Sequence, residues 1–171
     1  METPYTIEVP DLPTVYLLCG IACSGKTTYA RTELEPQGVV RLSIDDGVSE
    51  SYGTPGVDFD IEEYAAIERC VLDWQREELI GYLAVGTSVA LDYGFKWRTQ
   101  REVYRNIAAQ QGVDCRLLYF KAGRDLLLQR AAVRNLNPDV NAVPVTPDLL
   151  DMFISWFEEP EGEGEIIVKQ S

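Results

Sequence analysis

Residues 15–28 read VYLLCGIACSGKTT, and this stretch restricts the possible folds more than any other part of the chain. The five apolar residues ending at Cys19 read as a buried strand. A helix is expected to open near Lys26 and run to about Glu35, where Pro36 and Gly38 stop it. Between the two, Gly20, Gly25, Lys26 and Thr27 fit the spacing G-x-x-x-x-G-K-S/T. Glycines let the backbone wrap so that N–H groups point inward, and the helix N-terminus adds partial positive charge. The segment Gly20, Ile21, Ala22, Cys23, Ser24, Gly25, Lys26, Thr27, Thr28 is therefore expected to cradle nucleotide phosphates. Lys26 would reach the β and γ phosphates, and the Thr27 hydroxyl would ligate Mg²⁺.

The rest of the chain alternates in the same manner. VVRLS (39–43), TSVALD (87–92), CRLLYF (115–120) and IIVK (166–169) read as strands. The polar, glycine-rich stretch 47–60 reads as a loop with at most one helical turn. A long amphipathic helix follows from Ile61 to Leu83, with Asp60 and Glu63 as a capping pair and Gly86 past its end. Thr99 with Glu102 predicts a capping box for a helix to about Gln111. A helix is expected over 123–135, and Thr146 with Pro147 opens another through about Phe157. Alternating strands and helices imply an α/β fold: a three-layer α/β/α sandwich around a five-stranded, mostly parallel sheet. One domain is expected over 1–171, with residues 1–13 as an N-terminal extension and about 135–145 as a lid loop.

Charge and composition exclude several classes. The chain has 28 acidic and 15 basic residues, a net charge of −13. A field of that sign repels polyanions and argues against nucleic acid as a partner. It would suit a cationic acceptor such as an aminoglycoside. No apolar run reaches the ~18 residues that cross a membrane, and the start lacks a secretory pattern, so a cytoplasmic setting is expected. The absence of histidine removes every His-dependent triad and leaves general base work to a carboxylate first, and after it to a lysine, tyrosine or thiol. The four cysteines form no CxxC pair and are expected as buried, reduced thiols. Trp74, Trp156, Phe153 and Phe157 are expected in the core, with Trp97 left open.

The chain lacks a guanine-reading N/T-K-x-D, and the third strand ends ALDYG, without the Asp-Glu pair of a water-activating ATPase. Both absences favour phosphoryl transfer, which depends on positioning and positive charge. SIDDG places Asp45 and Asp46 at the carboxyl edge of the sheet, where one of them could accept a proton. Arg124, Arg130 and Arg134 form an arginine row, and the last two share a helix face.

With these motifs the chain resembles the small P-loop kinases related to bacteriophage polynucleotide kinase, zeta toxins and chloramphenicol phosphotransferase. Within that group it is most similar to bacterial AAA-family ATP-binding proteins. The resemblance spans about Val15–Val168 and rests on CGIACSGKTT, RLSIDD, SVALDYGFKWRTQR, LLLQRAAVRN and the C-terminal stretch from Val145. It implies ATP and Mg²⁺ as cofactors and transfer of the γ-phosphoryl group to a hydroxyl of a small acceptor. Asp45 matches the catalytic carboxylate, Arg130 and Arg134 the lid arginines on the phosphates, and Asp92 the acidic residue near Mg²⁺ or the acceptor. Arg101 matches an arginine on the substrate side, and Ser43 the small polar residue before the carboxylate. The family's phosphate-loop proline is absent, with Ala22 near its place. An ATP-hydrolysing switch without an acceptor and a polynucleotide 5′-hydroxyl kinase are the rival readings.

Overall fold

Strand β1 (Thr14–Cys19) is buried at all six residues, because it has a strand on each side and a helical layer on each face. The computed structural model, which describes residues 7–136 and 144–169, adds β2 (Val40–Ser43), β3 (Val89–Gly94), β4 (Asp114–Tyr119) and β5 (Ile166–Ile167). The sheet order is β2-β3-β1-β4-β5, and every neighbouring pair is parallel. Helix α1 (Lys26–Tyr29) continues through a wide turn at Ala30–Leu34 and a 3₁₀ turn at Glu35–Gln37. The others are α2 (Ile44–Tyr52), α3 (Tyr64–Ala84), α4 (Arg98–Gln110), α5 (Arg124–Leu136) and α6 (Pro147–Trp156).

Alternate residues of the strands feed two cores. Val15, Leu17, Leu91 and Leu117 pack with Leu79 and Leu83 of α3 and Tyr104 and Ala108 of α4. Tyr16, Leu18, Ala90 and Leu118 pack on the opposite face with Tyr29, Ala30 and Leu34. Each fully buried leucine contributes about 1.5–3 kcal/mol, so both layers hold the sheet edge that carries the cleft. A third cluster joins Leu127 and Ala131 of α5 to Leu150 of α6, with Ile21, Ala22 and Cys23 of the phosphate loop against it. The N-terminal extension is in part core: Ile7 is buried, and Gln37 accepts from the Val9 N–H and donates to the Ile7 carbonyl.

Two sequence expectations change. Residues 47–52 of the expected loop belong instead to α2 (Ile44–Tyr52), a longer helix than the single turn allowed for. Ser43 caps the helix, its Oγ accepting from the Asp46 N–H at 3.3 Å, and two aspartates in the first turn favour its dipole. Gly47 is not a breaker but a crossing point, since a Cβ there would sit 2.6 Å from Val71 Cγ1 and 2.8 Å from Gln75 Nε2 of α3. Helix α4 opens at Arg98, with Trp97 as its cap residue and Gln100 accepting from the Trp97 N–H. Thr99 lies inside it, and Glu102 pairs with Arg98 instead. The Asp60–Glu63 pair does cap the turn before α3, and Thr146 accepts from the Leu149 N–H at the start of α6. The expected lid falls largely on residues 137–143, outside the described residues. Its flanks are joined twice, by Asn135 Nδ2 to the Val145 carbonyl at 2.9 Å and by the Val145 N–H to Asn135 Oδ1 at 3.0 Å.

Candidate active site

The strand-to-helix turn after β1 closes tightly. The Gly20 N–H donates to the Gly94 carbonyl at 3.0 Å. A Cβ on Gly20 would meet Ser24 Oγ at 2.6 Å and the Phe120 carbonyl at 3.1 Å, so only glycine fits. Cys23 adopts φ 67°, a left-handed conformation that a non-glycine residue takes at a cost and that recurs at functional sites. Lys26 folds across the loop, its Nζ donating to the Ile21 carbonyl at 2.9 Å and to Ser24 Oγ at 3.4 Å. Burial lowers its pKa from the ordinary 10.5, opposed by the charges of Asp92 and Asp45. Thr28 is exposed and is not among the residues that line the cleft, in contrast to its neighbour Thr27.

Asp92 sits where β3 gains one extra residue against β1, between the pairs Leu17–Leu91 and Cys19–Gly94. Such a bulge re-aims side chains. The Thr27 hydroxyl donates to Asp92 Oδ2 at 2.6 Å, and the Asp92 side chain is 5% exposed. These two oxygens fit Mg²⁺, which takes few protein ligands and completes its octahedron with phosphates and water. Among the described residues there is no cluster of three or more His, Cys, Asp or Glu that could hold a metal ion.

Arg41 is a site residue that the sequence reading missed. Its guanidinium reaches Glu35 at 3.1 Å, Asp92 at 3.4 Å and the Asp46 carboxylate. A lone arginine in the strand VVRLS is the signal that could have found it. The Asp46 carboxylate is thereby held by Arg41, while its backbone N–H goes to the Ser43 cap. Asp45 has no hydrogen bond or ion pair with a described residue. It opens on the cleft, and solvent reaches it. The crowding walls raise its pKa above the ordinary 3.8, with Asp92 adding to the rise and Arg134 and Lys26 opposing it. Burial likewise raises the pKa of Glu68, with Asp45 adding and Lys96 opposing. Tyr64 is pushed up to about 12, mostly by burial and then by Asp45 and Glu68. Gln75 of α3, 3% exposed, fixes this corner by donating to the Ser43 carbonyl at 2.8 Å.

The arginine row divides. Arg130 Nη1 donates to the Ser24 carbonyl at 3.2 Å and the Cys23 carbonyl at 3.5 Å. Arg134 lies 3.8 Å from Cys23 Sγ and lines the cleft. Arg124 instead forks onto Asp151 at 2.6 and 2.8 Å and braces α5 against α6.

Arg101 is not brought to the cleft. It is 1% exposed, forks onto Glu163 at 2.6 and 2.9 Å, and donates to the carbonyls of Phe95 and Glu158 at 2.9 and 3.0 Å. An arginine following β3 reads as substrate-side by position, but the C-terminal segment folds over it and consumes its donors. The tryptophans depart from expectation too. Trp74 and Trp156 are 41% and 50% exposed; Trp156, Trp97 and Phe153 line the cleft, and Phe157 both lines it and packs on the core, stacked on Tyr119. The four cysteines are free, but only Cys19 is fully buried and Cys70 is exposed.

One cleft of about 760 Å³ holds all of this together: the phosphate loop, Asp45, Asp92 and Arg134, with Glu68, Lys96, Trp97 and Trp156 at the far side. Among the described residues no helix is long and apolar enough to cross a membrane. No curated protein matches the chain. Solved structures share the fold. A Chloroflexus aurantiacus protein is 17% identical with TM-score 0.69, over 92% of this chain and 86% of its own. A gluconokinase from Sinorhizobium meliloti is 18% identical with TM-score 0.60, over 95% and 86%. A chain of the Pnkp1/Rnl/Hen1 RNA repair complex is 18% identical with TM-score 0.66, over 87% of this chain and 45% of that longer one. Residues 15–160 match the AAA domain family, and with its phosphate loop and parallel sheet the chain belongs to that family, in a P-loop kinase-like fold.

Proposed function

We propose that this protein is an ATP-dependent phosphotransferase acting on a hydroxyl of a small acceptor. The observation that carries this reading is the division of labour between the adjacent aspartates. Arg41 pairs with the Asp46 carboxylate, whereas the Asp45 carboxylate lines the cleft with no partner among the described residues, in the field of Lys26 and Arg134. A carboxylate with a raised pKa is a better proton acceptor than an ordinary one. Asp45 takes the proton of the acceptor hydroxyl as its oxygen bonds to the γ-phosphorus. The bond from that phosphorus to the bridging oxygen breaks, and the electron pair leaves with ADP. Lys26, Arg130 and Arg134 stabilise the charge spread over the phosphoryl oxygens. Thr27 and Asp92 would hold Mg²⁺, which supplies charge neutralisation at the phosphates when bound. The cleft volume lies within the usual range for small ligands.

The test is transfer of label from γ-labelled ATP to a panel of hydroxylated metabolites and antibiotics, comparing wild type with Asp45→Asn. Loss of the labelled product with ATP affinity retained supports the reading. Equal product formation by both proteins sinks it. An ATP-hydrolysing switch would instead release phosphate without any acceptor, at a rate that Asp45→Asn leaves unchanged.

A further inference from the structure

The far side of the cleft is an aromatic wall with charged groups set into it. Trp97 and Trp156 are 40% and 50% exposed and line the same cavity as Asp45. The Lys96 ammonium lies 4.2 Å from the Trp97 ring centroid and 6.0 Å from that of Trp156, so one cation sits over the first indole and at the outer limit of cation–π range from the second. Leaving two tryptophans half in water forgoes burial that the core would supply, and within a cleft such surface is available to a ligand.

The wall is also held rigidly. The Glu158 N–H donates to the Lys96 carbonyl at 2.8 Å, and Glu158 Oε2 accepts from the Arg98 N–H at 2.8 Å. The buried Arg101 holds the Phe95 and Glu158 carbonyls. Phe95, 1% exposed, takes φ 48°, a strained conformation that these bonds maintain. Two backbone segments distant in sequence are thus locked so that Trp97 and Trp156 flank Lys96. Glu68 and Asp45 supply acceptors nearby, and Lys96 a donor.

We propose that Trp97 and Trp156 form the acceptor's binding platform, and that the acceptor is a small ring-bearing alcohol whose flat apolar face stacks on them while its hydroxyl meets Asp45. The proposal rests on the phosphotransferase reading for the identity of the ligand as acceptor. Flat indole faces suit the C–H face of a sugar ring or an aryl group. Glu68 and Lys96 then serve the polar rim of that ring. The cleft lining itself balances four carboxylates against four cations, and it is the net charge of −13 over the whole chain that disfavours a polynucleotide end.

Binding is measured by ligand-observed NMR on the full chain with Mg²⁺ and ADP. The probes are methyl β-glucopyranoside, 2-phenylethanol, open-chain sorbitol and a short 5′-hydroxyl oligodeoxynucleotide. The expected result is binding of a ring probe in preference to sorbitol, with the glycoside and aryl arms separating the two ring sources. Trp97→Ala and Trp156→Ala should each weaken it by about three- to tenfold, with Trp97→Phe restoring most of the loss and ADP affinity unchanged. The proposal is overturned if neither ring probe binds, if sorbitol binds as well, if the alanine variants bind normally, or if the oligonucleotide binds best. Phosphoryl transfer measured in parallel separates the two levels. Ring binding without transfer removes the enzymatic reading and leaves the platform. Transfer to sorbitol that ignores both tryptophans removes the platform and leaves the enzyme.

Discussion

The two halves of the cleft are built on different principles. The half proposed for the nucleotide comes from consecutive residues, Gly20–Thr27, and its polar groups are paired within it, to α5 or to β3: Lys26 to Ile21, Arg130 to the loop carbonyls, Thr27 to Asp92. The half proposed for the acceptor draws Asp45 from α2, Glu68 and Leu72 from α3, Lys96 and Trp97 from the β3–α4 connection and Trp156 from α6. Its central carboxylate has no partner among the described residues. A triphosphate is an invariant shape, so one local loop can match it. An acceptor varies, so its half is assembled from side chains that only the topology brings together.

Changes that strike one half alone test this division, and the largest effect is expected at Asp45. Asp45→Asn should lower transfer by about 10²–10⁴-fold, with nucleotide affinity within about twofold by fluorescent-nucleotide titration. In wild type the acid limb of kcat/KM should lie above pH 3.8, since activity is lost as pH falls through the raised Asp45 value. The sign for stability is the opposite. A raised folded pKa gives stability that is fully present below the unfolded value and lost as pH rises through the folded one. The ionised carboxylate therefore destabilises the fold at neutral pH, and Asp45→Asn should raise Tm. The gain is small because solvent reaches the group. A drop in nucleotide affinity comparable to the loss of transfer would show that the halves are not separable.

Lys26→Ala strikes the other half. Loss of one positioned cation should lower transfer by about 10²–10³-fold, and nucleotide titration should show weakened binding. Ring-probe binding by NMR should change little, as the hydrogen bonds of Lys26 among the described residues stay within the loop.

Arg41 spans both halves, joining the Asp92 corner to the first turn of α2 through Asp46. Supporting groups of this kind are worth about 10–100-fold in activity. Arg41→Gln should lower kcat by that factor and change the Mg²⁺ dependence of the rate. It should also lower Tm, because the nearly buried Asp92 loses its cation. A fall in Tm with an unaltered Mg²⁺ profile would reduce Arg41 to a brace for α2.

How much was legible follows the same line. The parallel sheet, the cradle and the caps at Asp60 and Thr146 are local patterns, and chain spacing alone exposes them. Asp45 and Asp46 are neighbours of identical type, and only the fold separates them, by sending Arg41 from β2 to one and not the other. Gly47 read as a breaker because the helix that crosses it, α3, lies over twenty residues downstream at Val71 and Gln75. Trp156 read as core because α6 is apolar around much of its circumference. Leu150 takes the buried face, and the aromatic face is left for the cleft. Thr99 lost the capping position to Trp97 because Arg98 and Glu102 pair one turn apart on the helix.

Arg101 gives the smallest expected effect on chemistry and the sharpest one on stability. It sits behind the acceptor half, with side-chain exposures of 1% for itself and 2% for Glu163. Removing one partner of a buried pair leaves an uncompensated charge and costs about 3–5 kcal/mol, so Arg101→Met should lower Tm strongly. The Arg101 fork holds the Glu163 pKa below the ordinary 4.5. A depressed folded pKa gives stability that is present above the unfolded value and lost as pH falls through the folded one. Wild-type Tm should therefore decline below pH 4.5, and that decline should flatten in Arg101→Met. Assayed well below its Tm, the variant should keep kcat within about threefold and raise only the acceptor KM, because its guanidinium touches no reacting group and acts through the Phe95–Trp97 wall. A large loss of kcat at unchanged KM would return Arg101 to the substrate side, where its position after β3 first put it.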